Sequence, residues 1–162
     1  MTHKLYHLAQ INIARMKAPL DDPQMQAFVA GLEPINALAD AAPGFVWRLQ
    51  TEVGDATALR PFPDDFMIVN MSVWDSVESL REYTYKTVHV EYVRRRKEWF
   101  EKLDQPIYAL WWQPAGQLPT VAEAKTRLDH LIQHGDSPTA FTFGKPFPSP
   151  QARNGRPVGP GC

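Results

Sequence analysis

From Leu5 to Asn12 apolar and polar residues alternate, with Leu5, His7, Ala9 and Ile11 on one side and Tyr6, Leu8, Gln10 and Asn12 on the other. A period of two predicts a strand. The period then lengthens. Asp22-Pro23 has the form of a helix opening, with Asp22 as cap and Pro23 first in the helix, and Met25, Phe28, Val29 and Leu32 follow at helical spacing. Pro34 removes a backbone donor inside that run, which predicts a kink before a second segment carrying Ile35, Leu38 and Ala39. Pro43-Gly44 ends it. Strands are predicted over 45–51 and 66–74, on either side of a turn-rich loop. Asp75 and Glu78 stand at capping-box spacing, and Val77, Leu80, Tyr83 and Thr84 mark the helix they open. A break is expected at Lys86-Thr87, with a second helix from His89 to Leu103 whose stripe is Val90, Val93, Phe100 and Leu103. A strand over 107–113, a helix between a Thr120/Glu123 capping box and Gly135, and a short edge strand over 140–143 complete the pattern.

The order β-α-β-β-α-β plus one helix predicts an α+β chain of the ferredoxin-like, split-βαβ kind. Such a chain has a four-stranded antiparallel sheet with helices on one face, here with an extra C-terminal helix. That domain covers 1–143. In 144–162 nine of nineteen residues are Pro or Gly, so a poorly ordered tail is expected. The pleat sorts the side chains further. Met67, Val69, Met71 and Val73 form an apolar row expected against the helices, which leaves Ile68, Asn70, Ser72 and Trp74 on the open face. By the same alternation Leu8, Gln10 and Asn12 share that face, as do Val46, Arg48 and Gln50, with one of Trp111 and Trp112. A face so large and partly apolar calls for cover. The expectation is a homodimer packed sheet to sheet, a barrel whose lumen holds a small-molecule ligand.

Composition narrows the partners. A formal net charge of −1 recruits neither nucleic acid nor an anionic membrane. The single cysteine, Cys162, excludes an intrachain disulfide and a thiolate-built zinc site. The first residues lack the apolar core of a secretory signal and no apolar run approaches 18 residues, so the expected compartment is the cytoplasm.

The run VWDSVESLREYTYKTVHVEYVRRRKEWF, followed by LWWQPAGQLPTVAEAKTRLDHLIQHG and AFTF, resembles a conserved family of undefined function. That family is placed in the dimeric α+β barrel superfamily, which also holds antibiotic-biosynthesis-type monooxygenases. The resemblance spans roughly Leu5 to Pro148. It implies a fold and no particular activity: superfamily members oxidise aromatic polyketides without a cofactor, bind or degrade haem, or act as isomerases.

Three readings follow. In the first, a monooxygenase-like enzyme acts on an aromatic or polyketide-like substrate without a cofactor. His89 accepts a proton, Arg48, Asn70 and Gln10 orient a developing oxyanion, and Trp74, Tyr85 and Trp112 line the site. In the second, the lumen binds haem or a hydrophobic ligand, with His89 on the iron. In the third, the open face serves self-association alone. Each residue also has a plainer role: His89 as a helix-start histidine bonded to a carbonyl, the tryptophans as packing, and Arg48 as an edge residue. Arg94-Arg95-Arg96 cannot all face one way, since helical neighbours lie about 100° apart; pairing with Glu91 or Glu98 explains some of them, and one turned toward a carboxylate ligand is the alternative. His130 and His134 stand at metal-binding spacing, but no third ligand accompanies them, and His134 suits the negative end of a helix.

Overall fold

The computed structural model describes residues 5–49, 66–86 and 89–150, with the side chains of 86 and 89–93 excepted. Strand β1 (Tyr6–Met16) leads through a 3-10 turn (Pro23–Met25) into helix α1 (Gln26–Ala41). Asp22 caps the turn by accepting from the Gln24 N–H at 2.8 Å, as its place before Pro23 predicts. Helix α1 runs unbroken through Pro34. Gly44, at φ +84°, turns the chain into β2 (Phe45–Arg48), which pairs with β3 (Met67–Trp74). Helices α2 (Val77–Lys86) and α3 (His89–Trp99) follow, then β4 (Phe100–Glu101), β5 (Tyr108–Pro114) and α4 (Val121–His134).

The expected capping box of α2 shifts by one residue. Ser76, not Asp75, accepts from the first-turn N–H of Ser79 at 3.1 Å, and Asp75 holds the Ser79 hydroxyl at 2.5 Å. At α4 the box is as read: the Thr120 hydroxyl accepts from the Glu123 N–H at 3.1 Å, and Gly135, at φ +75°, returns its N–H to Leu131. The helix expected to reach Leu103 stops at Trp99 instead. Phe100 and Glu101 become a strand because they pair with Met16 and Arg15 at the far end of β1, which is four residues longer than its alternation shows. The edge strand expected at 140–143 is a single bridge, Leu110 to Phe141.

The sheet order is β2-β3-β1, with β4 and β5 sharing the outer edge of β1, and every pairing is antiparallel. The α+β, ferredoxin-like architecture expected from the sequence is therefore present, with β4 as an added short strand.

The layers, however, are exchanged. The apolar row (Ala9, Ile11, Val69, Met71, Val73, Trp111) packs beneath α4 through Ala124, Leu128 and Leu131. The mixed row expected to be open faces α1, α2 and α3: Leu8 and Trp74 meet Ala39, Leu80 and Tyr83, while Met16 and Phe100 meet Met25 and Trp99. Alternation identifies correctly which residues of β1 and β3 share a face, but in β2 an irregularity between Phe45 and Trp47 breaks it, so Phe45, expected on the opposite face from Arg48, lies on the same one. Alternation carries no information on which layer covers each face. A uniformly apolar row needs a dry cover, and one amphipathic helix supplies it. The mixed row tolerates polarity because the three helices above it stand off the sheet and leave a cavity.

Candidate functional site

Register places the side chains. On the face beneath α1–α3, Leu8, Trp74 and Phe45 form one cross-strand row, and Gln10, Ser72 and Arg48 form the next. Asn12, Asn70 and Tyr108 follow, then Ala14 and Ile68. Two polar rows thus lie between apolar ones. Above them is a cavity of about 410 Å3, within the range of small-molecule sites. Its helical walls include Phe28 and Ile35 of α1, Leu80 and Tyr83 of α2, and Trp99 of α3.

The polar floor is wired by Gln10. Its Nε2 donates to Asn70 Oδ1 at 2.7 Å and to Ser72 Oγ at 2.8 Å, and Ser72 Oγ accepts again from Trp74 Nε1 at 2.8 Å. Both Gln10 donors are spent inside the floor. Asn70 has its oxygen engaged, so its two N–H donors are left to the cavity, where the residue is exposed. Ser72, which accepts twice, keeps its O–H as a donor. Asn12 Oδ1 is buried without a partner.

Arg48 lines the cavity, paired with an acidic residue. Asp40 of α1 receives it in a two-point pair, Nε to Oδ1 at 2.8 Å and a terminal nitrogen to Oδ2 at 3.3 Å. The partner comes from the chain itself, because the face bearing Arg48 looks at α1. The Tyr83 hydroxyl donates to the Ile35 carbonyl at 3.1 Å. Burial, and next the Asp40 carboxylate, push its pKa well above the ordinary tyrosine value, against the opposing pull of Arg48. Burial likewise raises Tyr108, whose oxygen accepts from the Phe143 N–H at 3.0 Å.

Of the expected site residues, the cavity gathers Gln10, Arg48, Asn70, Trp74 and Tyr85. Trp74 is wholly buried there, between Phe45 and Tyr83, rather than open to a lumen. Tyr85 is about half exposed, its ring against Phe143. Trp112 stands apart: its Nε1 donates to the Phe147 carbonyl at 2.8 Å, and it borders a separate depression with Arg81. His89 begins α3, but its side chain lies outside the described residues, as does Gln50. The arginine run divides: Arg95 binds Glu98 at 2.9 Å over the Trp99 ring, while Arg96 borders the cavity over Phe100. Alternation places Ser72 on the mixed face, but periodicity does not single out Tyr83 or Arg96 as lining a cavity. The available signal for Arg96 is that its i+3 and i+4 neighbours, Trp99 and Phe100, are both large aromatics.

Among the described residues lining the cavity there is no histidine, cysteine or methionine, and the side chain of His89, the expected haem ligand, lies outside them. His130 and His134 are on α4, beyond the sheet, with ring centroids 4.5 Å apart and His130 Nδ1 buried without a partner. Among the described residues no group of three His, Cys, Asp or Glu is placed to hold a metal, and no helix is long and apolar enough to cross a membrane.

Fold and cavity together define a ferredoxin-like α+β protein with a ligand-sized chamber between its sheet and helices. The chain belongs to the family described as Domain of unknown function (DUF3291), whose model matches residues 7–156. Membership agrees with the resemblance to a family of undefined function read from the sequence. No curated protein matches the chain. Among solved structures it is similar to a protein of unknown function from Nitrosomonas europaea, at 13% identity and TM-score 0.46, covering 72% of this chain and 97% of that one. It is also similar to SnoaB, a cofactor-independent oxygenase from Streptomyces nogalater, at 14% identity and TM-score 0.46, covering 69% and 95%. A dabb-family protein with a ferredoxin-like fold from Mesorhizobium loti, at 14% identity and TM-score 0.43, covers 70% and 98%. Likenesses at this level assign no role to any residue.

Proposed function

We propose that the cavity is the active site of a small-molecule enzyme of the monooxygenase-like kind, acting on an aromatic or polyketide-like substrate without a cofactor. The observation that carries the reading is the cavity itself: an aromatic and aliphatic enclosure over a floor that offers hydrogen-bond donors from Asn70 and Ser72. A flat apolar substrate fits between the floor and the helical wall that includes Phe28, Ile35 and Leu80, with an oxygen substituent on Asn70 and Ser72. Loss of a proton from such a substrate leaves a phenolate or enolate, and donors already aimed at its oxygen stabilise that charge as it develops. His89 is proposed as the proton acceptor. Arg48 acts at one remove: paired to Asp40, it fixes the end of the floor.

The test supplies polycyclic phenols and hydroquinones to the purified protein and follows dioxygen uptake with no cofactor added. Turnover that falls about 100-fold in Asn70→Ala, the usual cost of one oxyanion donor, and is lost in His89→Ala supports the reading. Ligands that bind without consuming oxygen across the panel replace it with a binding protein. The homodimer expected from the sequence enters this proposal in altered form. Helix α4 already lies on the apolar sheet face, so two copies have to meet elsewhere. Sedimentation showing only monomer at micromolar concentration removes it.

A further inference from the structure

We infer that the cavity selects a ligand carrying a single negative charge, a carboxylate or an acidic phenol on an apolar body of about two rings, and that Arg96 is the residue that selects it. The inference rests on the cavity being a ligand site, as proposed above, and adds the charge class of the occupant.

Two charged side chains line the cavity among the described residues, Arg48 and Arg96, and neither Asp nor Glu does. Arg48 is matched by Asp40. Among the described residues Arg96 has no such match: it lies over the face of the Phe100 ring, 5.9 Å from guanidinium carbon to ring centroid. Burial works against its charge, yet a guanidinium stays protonated in a protein. A half-buried cation of this kind is stabilised by an acceptor that carries charge. The floor points the same way. Gln10 takes up the oxygen of Asn70, so Asn70 presents N–H groups to the cavity, and Ser72 presents its hydroxyl proton. The enclosure is therefore rich in donors and holds one positive charge with no acidic partner among the described residues. A monoanion balances that charge. A phosphate, at close to two negative charges, overbalances it and has to shed more water in an apolar setting. Size sets the body: a cavity of about 150 Å3 holds one benzene ring, so about 410 Å3 admits two fused rings with room for the charged head.

The probes are 1-naphthoate, its neutral methyl ester and 1-naphthyl phosphate, with affinity read from quenching of tryptophan fluorescence, since Trp74 and Trp99 line the cavity. Naphthoate is expected to bind at least tenfold more tightly than the ester and than the phosphate. In Arg96→Met that preference over the ester disappears while ester affinity stays within about twofold, and Arg96→Lys restores part of it. Ester binding by Arg96→Met also reports that the variant is folded; should it not fold, loss of the preference in wild type at 0.5 M salt compared with low salt is read instead. An unchanged naphthoate-to-ester ratio in Arg96→Met, or tighter binding of the phosphate, overturns the inference and leaves the cavity reading intact. Failure of both naphthoate and ester to bind wild type overturns the inference together with the cavity reading.

Discussion

Tyr83 joins the helical wall of the cavity to the ion pair at its edge. Its hydroxyl is held by the Ile35 carbonyl, and its ring lies 5.2 Å from that of Trp74. Unfolded, it titrates near 10.0; folded, burial and the Asp40 carboxylate lift it higher. Above about pH 10 the folded chain keeps a proton that the unfolded chain releases, so the stability this residue contributes is complete below that pH and declines as pH rises past it. Urea midpoints measured from pH 8 to 11 should therefore fall at the alkaline end. Tyr83→Phe should flatten much of that fall and leave the smaller part due to Tyr108, which burial also raises. Equal alkaline slopes in the two proteins would place the titrating group elsewhere. At neutral pH the same variant loses one hydrogen bond, worth about 1 kcal/mol.

At the scale of elements, the turn between α1 and β2 depends on Gly44. Its φ of +84° is costly for any side chain, and a Cβ there would overlap the Ser79 side chain and Asp75 Oδ1, the pair that anchors the start of α2. Gly44→Ala should cost more than about 2 kcal/mol, since strain of about 1–2 kcal/mol from a left-handed backbone adds to the overlap. Chemical denaturation measures it, and a loss below 0.5 kcal/mol would contradict the geometry. The sequence marks this turn through Pro43-Gly44, as it marks the cap at Thr120, because each is a local event written in a few adjacent residues; the break expected at Lys86-Thr87 lies at the edge of the described residues. The strand at Phe100 is not legible in that way. It exists because Arg15 and Met16 lie across from it, more than 80 residues away in the chain. Arg48 is similar. Its strand and face follow from alternation, but its partner Asp40 shares the helical run of Leu38 and Ala39, and only the side of the sheet on which α1 lies brings the two together. The polar floor was readable as a set, Gln10 with Asn70 and Ser72. That it sits inside one chain rather than between two was not, because a period of two assigns faces and leaves their covers unstated.

The whole molecule is two cores separated by one sheet. One holds the cavity, and the other is closed by α4. Leu128, wholly buried at the centre of the α4 contact, carries much of that closure. Leu128→Asp places an unpaired carboxylate among Ile11, Met71 and Trp111, and should cost at least about 3 kcal/mol. It should also bare an apolar sheet face, so gel filtration is expected to show assemblies larger than those of wild type. A variant that stays at the wild-type size and stability would mean that α4 is not what seals this face.

That seal also has a place in time. Helix α4 follows all five described strands, so a ribosome making this protein delivers β1 and β3 long before their cover. Until residues 121–134 emerge, any sheet that has already formed exposes Ile11, Val69 and Met71 to the crowded cell, where bare apolar surface recruits chaperones or other nascent chains. The interval is short if translation proceeds smoothly past Trp111, and it lengthens with any pause before Thr120. Codon choice between 111 and 120 is thus under a constraint that no side chain in the finished molecule reveals: the yield of folded protein should fall when slow codons are placed there, and hold when the same codons are placed after residue 134.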